Sequence, residues 1–172
     1  TGDERPVPGA GADDRIGVWS PDGNTLAVLT EREGTTTLSV IPFGDASGAG
    51  ARVLFGAAHV VGPPVWSPDG RTIAVPCRRG EVIDRTRPYR WSRPIPAFDG
   101  LGPLEDPPQI RLVDVATGEG RWVTDDGWRW GMPRWSPDGT RLAAVASLDP
   151  TGRQVGPFLR IIDVAPSGTS EP

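Results

Sequence analysis

A five-residue phrase, Trp-Ser-Pro-Asp-Gly, occurs three times in this chain of 172 residues and constrains its fold more than any other feature. Each copy leads into a short apolar stretch, such as Thr25-Leu26-Ala27-Val28 after the first. Within the phrase, proline presets the backbone for a turn, aspartate hydrogen-bonds locally and glycine takes the left-handed conformation. The phrase therefore predicts a hairpin corner between two strands, and its recurrence predicts a repeat architecture. The copies begin at Trp19, Trp66 and Trp135.

The spacing of the corners predicts a repeat unit of four short strands. Val53 in the first unit and Trp122 in the second both lie 13 residues before the next corner tryptophan. The first and third units fit a repeat of about 40–45 residues, which is the size of a propeller blade. We therefore expect an all-β fold, a partial β-propeller of three WSPDG-type blades, two of them four-stranded and the last incomplete. Three blades do not close a ring, since propellers have about 4–8.

The same alignment predicts the organisation of the whole chain. The second unit is longer than the others because it carries an insert between its second and third strands. The predicted parts are a lead-in loop (1–14), a first blade (15–60), a second blade (61–128) with its insert (81–108), an incomplete third blade (129–164) and a tail (165–172).

Composition argues against several classes of function. All 18 basic residues are arginine, the net charge is −4 and no basic patch stands out, so we expect no nucleic-acid partner. No apolar run approaches membrane-spanning length, so we expect no membrane contact. Cys77 and His59 are single residues of their types, and His59 is predicted in a loop, so we expect no disulfide and no metal site. No cofactor is expected, and with no signal peptide visible we expect a cytoplasmic location.

The corner residues have a structural and a functional interpretation. The tryptophans are predicted to pack between neighbouring blades, although a ladder of exposed rings would suit ligand binding. The aspartates are predicted to form the turns rather than to bind metal, because the spacing typical of calcium loops is lacking. The glycines are predicted at positive φ. These structural residues are Trp19, Asp22, Gly23, Trp66, Asp69, Gly70, Trp135, Asp138 and Gly139.

The insert supplies the candidate contact site. Four of its residues, Arg87, Tyr89, Arg90 and Trp91, combine guanidinium groups with aromatic rings. Arginine beside aromatic residues suits recognition of a carboxylate or of a protein face. The alternative is a solvated loop that packs its rings on the blade. The many prolines of the insert exclude a long regular element, and we expect an ordered excursion from one end of the blade.

Longer stretches of the second unit resemble a known family. The corners resemble those of TolB-type propellers. A series of short sequence stretches, within the insert and after it, is similar in content and order to the propeller domain of the prolyl oligopeptidase family of serine peptidases. Within that family, the similarity is to the acylaminoacyl-peptidase and dipeptidyl-aminopeptidase-like branch. It covers most of residues 15–164. The stretches that carry it are RPYRW from Arg87, FDGLG from Phe98, IRLVDVATGE from Ile110, VTDDG from Val123 and PRWSPDG from Pro133.

The resemblance implies a peptidase of two domains. A propeller screens peptide substrates, and a C-terminal α/β-hydrolase domain carries a Ser-Asp-His triad. This sequence departs from that pattern, because it contains no G-x-S-x-G nucleophile motif and its single histidine, His59, lies near no motif that would supply a serine. We therefore assign no catalytic residue. The implied partners are the hydrolase domain of the parent chain, the remaining blades and peptide substrates.

Two hypotheses of different classes follow. In the first, the chain is the non-catalytic propeller portion of such a peptidase, and it gates or positions peptides for a hydrolase domain absent from these residues. In the second, it is a TolB-like scaffold for protein–protein interaction without peptidase activity. Hydrolysis by this chain alone is disfavoured. A G-x-S-x-G motif downstream in the parent reading frame would discriminate between the first two hypotheses.

Overall fold

The described part of the chain consists of β-strands joined by turns. A computed structural model describes residues 2–4, 7, 11–32, 35–43, 50–79, 106–147 and 157–164. These residues form eleven strands and no helix, so the predicted all-β class is confirmed. The strands are β1 (Asp14–Trp19), β2 (Thr25–Arg32), β3 (Thr35–Pro42), β4 (Arg52–Val60), β5 (Val65–Trp66), β6 (Thr72–Arg78), β7 (Gln109–Asp114), β8 (Gly120–Trp122), β9 (Arg129–Trp135), β10 (Arg141–Ser147) and β11 (Phe158–Asp163).

Each corner joins the first two strands of an antiparallel meander. The first unit runs β1-β2-β3-β4, and every consecutive pair is antiparallel. The second unit runs β5-β6-β7-β8 with the same pattern. In the third unit, the described residues form β9-β10-β11, with β10 in the middle. The strands therefore follow the repeat that the three corners predict.

The fourth strand of the first unit is longer than the spacing predicts. The alignment of the units predicts this strand over Arg52–Phe55, but β4 continues to Val60, where it pairs with the end of β6 through Val60 and Cys77. The chain after Phe55 is Gly-Ala-Ala-His-Val, and no proline interrupts it before Pro63. No proline removes a backbone donor here, so β4 continues to the edge of β6 and bridges two neighbouring units. His59 consequently lies in β4 and not in the predicted loop.

The core lies in the seams where the sheets of successive units face each other. The first seam joins odd-numbered residues of β2 with β6 and the adjoining strands, among them Ala27, Leu29, Ile73 and Val75. The second seam joins the opposite face of β6 with β10, and Ala74 lies there. Because side chains alternate across a strand, β6 contributes apolar residues to both seams. This explains why its sequence, TIAVPCR, lacks polar alternation.

The insert emerges between two strands that pair directly with each other. Cys77 near the end of β6 lies opposite Gln109 at the start of β7, so the chain leaves and re-enters the sheet at adjacent positions. Residues 80–105, which include most of the insert, lie outside the described residues, and with them Arg87, Tyr89, Arg90 and Trp91. The tail, residues 165–172, is also outside them. The boundaries of the predicted parts stay predictions.

The corner glycines adopt the conformation that the turn requires. Gly70 has φ of 70° and Gly139 has φ of 72°, so the predicted left-handed conformation is confirmed at both. A Cβ atom added at Gly139 would meet Pro68 only at an ordinary 3.7 Å. A side chain at this position is therefore disfavoured by the backbone conformation and not by crowding.

We predict that Gly139→Val destabilises the chain by about 1–3 kcal/mol, because a β-branched residue is forced to positive φ. The measurement is the free energy of unfolding in urea. Gly131→Val is the matched control, since Gly131 lies in β9 at ordinary φ with no atom within 4 Å of an added Cβ. Equal losses in the two variants would contradict the turn assignment.

Candidate functional site

The three corners carry the same hydrogen-bond network. In the first, the Ser20 hydroxyl donates to the Asp22 carboxylate at 2.5 Å and accepts the Thr25 amide at 2.9 Å. The Asp22 carboxylate also accepts the Asn24 amide at 3.0 Å. The amide of Gly23 donates to the Ser20 carbonyl at 2.9 Å and closes the turn. The second and third corners repeat these contacts from Ser67 and Ser136.

The corner carboxylates are held in their charged form. The Ser136 hydroxyl and the Thr140 amide and hydroxyl lower the pKa of Asp138 from its ordinary 3.8 to about 2. Hydrogen bonds from Ser20 and from Ser67 likewise lower the pKa of Asp22 and of Asp69. These oxygens serve the turns, and no cluster of three potential metal ligands occurs among the residues that the structure describes.

The corner tryptophans link each unit to the one before it. The indole N–H of Trp66 donates to the carbonyl oxygen of Val18 at 2.9 Å, and that of Trp135 donates to the carbonyl oxygen of Val65 at 3.1 Å. Each acceptor is the residue just before the preceding corner tryptophan. Trp66 is buried in the first seam with 7% of its surface exposed, and Trp135 is half-buried in the second.

Clefts open between successive corners at one end of the sheets. The cleft between the first two corners has a volume of about 170 Å³, and the cleft between the second and third has about 710 Å³. Val115 lines the first cleft, and the Arg52 guanidinium donates to the carbonyls of Val115 and Ala116 across the seam. Polar groups and one ring line the larger cleft, among them Asp69, Arg71, Asp114, Arg121, Trp135 and Asp138.

Sequence reasoning missed a cluster of arginine and aromatic side chains at the opposite end of the second unit. The guanidinium of Arg79 lies 4.5 Å from the Trp122 ring and forms an ion pair with Asp125 at 3.1 Å. Arg111 lies over both Phe55, at 5.1 Å, and Trp122, at 5.8 Å. The only signal in the sequence was an arginine within the apolar strand IRLVD.

This cluster stands at the root of the insert. Arg79 follows β6, where the insert begins, and Gln109 at the start of β7 donates its amide to the Trp128 carbonyl at 2.7 Å. Cys77 is buried beside it, and burial raises the pKa of its thiol to about 11. A thiol with so high a pKa is not a nucleophile at neutral pH. The surroundings of the insert therefore offer guanidinium and aromatic contacts and no reactive thiolate.

No helix long and apolar enough to cross a bilayer occurs in the part of the chain that the structure describes.

The repeated corners, the indole-to-carbonyl links and the antiparallel meanders together define a β-propeller fold of the TolB-like type. The chain is similar to TolB from Acinetobacter baumannii, with a TM-score of 0.58 and 16% identity over 90% of this chain and 31% of that one. It is also similar to prolyl oligopeptidase B from Galerina marginata, with a TM-score of 0.57 and 15% identity over 90% of this chain and 21% of that one. At such identities, these likenesses show the fold.

One relative is similar in sequence. The chain is 35% identical over 144 residues to the uncharacterized peptidase YuxL of Bacillus subtilis, and the match covers 77% of this chain and 22% of that protein. This chain therefore spans about a fifth of the length of the relative. No family model matches the sequence. The resemblance to TolB-like repeats and to the propeller domain of prolyl-oligopeptidase-family peptidases is confirmed.

We predict a loss of stability in acid that depends on Asp138. Its pKa is lower in the folded chain than the ordinary 3.8, so its contribution is full above about pH 4 and is lost as the pH falls through about 2. Asp138→Asn should lower the urea midpoint near neutral pH and flatten its dependence on pH in this window. Asp106→Asn, an exposed aspartate outside the corners, is the control. If the urea midpoints of wild type and Asp138→Asn changed in parallel with pH, the contribution of Asp138 to stability in acid would be disproved.

Proposed function

We propose that this chain is the non-catalytic propeller portion of a prolyl-oligopeptidase-family serine peptidase of the acylaminoacyl-peptidase and dipeptidyl-aminopeptidase-like type. The observation that carries the proposal is the 35% identity with a Bacillus subtilis peptidase over 144 residues, which include most of the chain. In this proposal, the chain gates or positions peptide substrates for a hydrolase domain that its 172 residues do not contain.

We further propose that the three units are three separate propeller blades. The support is the repetition of one set of contacts at both seams: an indole-to-carbonyl hydrogen bond, a corner glycine against the preceding corner proline, and two apolar sheet faces. The β4–β6 pairing adds a short edge contact between the first two blades and does not alter this pattern. The remaining blades of the ring are then partners of this chain.

The insert is the element that we propose for contact with the hydrolase domain or with peptides. Its two ends are fixed next to each other by β6 and β7, and we propose that it extends from this end of the blade. The Arg79–Trp122 pair and Arg111 extend the same chemistry onto the described surface around its root. Guanidinium groups beside aromatic rings bind carboxylates and protein surfaces. Peptide carboxylates are accordingly the groups that we propose for Arg87 and Arg90.

The second candidate function is a TolB-like scaffold for protein–protein contacts. The observation in its favour is the likeness in fold to TolB from Acinetobacter baumannii. Further WSPDG units downstream without a nucleophile motif in the parent reading frame would favour it over the peptidase. The cytoplasmic location expected from the sequence stays a prediction under both functions.

We predict that the isolated chain hydrolyses neither acyl-peptide nor aminoacyl chromogenic substrates, because it has no G-x-S-x-G motif and a single histidine. The measurement is release of the chromophore above the rate in buffer. Turnover that a serine-directed phosphonate abolishes would show that these residues contain a catalytic serine and would contradict the prediction.

We predict that deletion of residues 84–107 in the full-length parent, replaced by a short glycine linker, leaves the propeller folded. The reason is that β6 and β7 pair without help from the insert. The ratio of kcat/KM for short and long peptides should change, since the proposed contact is lost. The control is the same replacement by a short glycine linker at residues 44–49, a small-residue connection between β3 and β4. Unchanged selectivity in the insert deletion would defeat the proposed role, and unfolding would show that the insert belongs to the core.

A further inference from the structure

Arg111 is a half-buried cation that has no anionic partner among the residues that the structure describes. Its Nε–H is buried and donates no hydrogen bond there. The guanidinium lies 5.1 Å from the centre of the Phe55 ring in β4 and 5.8 Å from that of the Trp122 ring in β8. The rings attract a cation, but they do not replace an oxygen acceptor for a buried N–H. The hydrogen bonding of Arg111 is therefore incomplete.

A second guanidinium adds to the positive charge at this place. Arg79 lies 4.5 Å from the centre of the same Trp122 ring. It has partners of its own, since it forms an ion pair with Asp125 at 3.1 Å and donates to the Thr124 carbonyl at 3.4 Å. Among the described residues, two guanidinium groups thus stand at one ring, and one carboxylate pairs with them. The excess positive charge favours a further anion beside Arg111.

The repeat shows that the sheet itself does not require this arginine. The same position, opposite the middle of the second strand, is held by Ser39 in the first unit and by Arg160 in the third. Arg160 also stacks on a ring, since its guanidinium lies 4.2 Å from the centre of the Trp128 ring. It is exposed, however, so water reaches its donors. Of these three positions, the one in the second unit combines a guanidinium with a buried, unpaired donor.

A glycine gives Arg111 its place between the two rings. A Cβ atom added at Gly120 in β8 would lie 2.7 Å from the Arg111 Cζ, which is closer than side chains approach. The guanidinium therefore lies across the bare backbone of Gly120, next to Trp122 in the same strand. This packing holds the group in the first seam without hydrogen bonds to the described residues, so its N–H donors stay free for a ligand.

We propose that Arg111, with Arg79 beside it, binds a carboxylate group in the first seam. A guanidinium binds a carboxylate through two parallel N–H···O hydrogen bonds, which a single buried cation of this kind can supply. Phe55 and Trp122 flank the group with apolar surface, which strengthens the ion pair by excluding water. The proposed function supplies only the source of the carboxylate, which is then a peptide: its C-terminus or an acidic side chain.

The Nε–H resonance of Arg111 in the folded chain reports on the site directly. It is assigned in a chain with ¹⁵N-labelled arginine by its loss in Arg111→Lys. An acetylated trialanine peptide with a free C-terminus should shift the resonance saturably, and the same peptide with a C-terminal amide should not. An amidated peptide with a central glutamate separates the two sources, because a shift there shows that an acidic side chain is also bound. No shift with either carboxylate, or an equal shift with the trialanine amide, overturns the proposal, as does tighter binding of inorganic phosphate.

Matched variants test which residues form the site. Arg111→Gln should raise the Kd of the carboxylate peptide by about tenfold or more, because a charged hydrogen-bonding partner is lost. Arg160→Gln removes the stacked, exposed arginine of the third unit and should leave the Kd unchanged. A folded Arg111→Gln chain that binds the peptide as tightly as wild type overturns the proposal.

A glycine variant tests the site with every charge kept. Gly120→Ala should displace the Arg111 guanidinium and weaken peptide binding. Gly131→Ala is its control, since an added Cβ meets no atom within 4 Å there. Unchanged binding in Gly120→Ala would overturn the proposal even if Arg111→Gln failed to fold. None of these measurements involves hydrolysis: a parent without peptidase activity would refute the proposed function and leave the carboxylate site standing, and absence of binding would do the reverse.

Discussion

The hydrogen bond from a corner tryptophan to the main chain of the preceding unit is the contact on which the arrangement of the sheets depends. A buried indole N–H must find an acceptor, because leaving it unpaired costs about 1–3 kcal/mol. The acceptor is a fixed backbone carbonyl, so the hydrogen bond from Trp66 to Val18 places β5 beside β1. With β1 and β5 fixed in this way, Gly70 lies near Pro21, and the apolar faces of β2 and β6 meet. The same sequence of contacts places β9 beside β5.

The local parts of this arrangement could be predicted from the sequence, since they follow from short-range chemistry. Ser20, Asp22 and Gly23 form a turn within a few residues, and the spacing of such turns gives the strands. The extension of β4 to Val60 could not be predicted, because it depends on a strand edge of the next unit that only the folded chain provides. The same holds for Arg111, whose guanidinium lies over the rings of both Trp122 in the neighbouring β8 and Phe55 in β4, which is far away in the sequence. An arginine in an apolar strand is ambiguous until those neighbours are known.

The candidate contact site was predictable only as a type of chemistry. Residues 87–91 have the composition of a recognition loop, and the pairing of Cys77 with Gln109 shows where the loop leaves the sheet. Most of this loop, residues 80–105, lies outside the described residues, so its contacts stay a proposal. The corner aspartates are the opposite case, because their composition suggests a binding site that the structure does not form. Their carboxylates look like metal ligands in composition, yet serine and backbone donors use Oδ1 in every corner.

The two seams share the indole-to-carbonyl hydrogen bond but differ in the residue types of their cores. In the first, Val75 and its neighbours are aliphatic, and Trp66 is the single large ring of the buried cluster. In the second, the position of Val75 is taken by Ala144, and Ala74 and Ala146 lie nearby. The lost volume is replaced by Trp130, which is buried among these alanines, and by the half-buried rings of Trp128 and Trp135 around them. Because interiors tolerate exchange of residues when total volume is kept, each seam holds its own set of side chains at one common geometry. Enlarging Ala144 to valine without reducing Trp130 would overpack the second seam, even though valine is the native residue at the same position of the first.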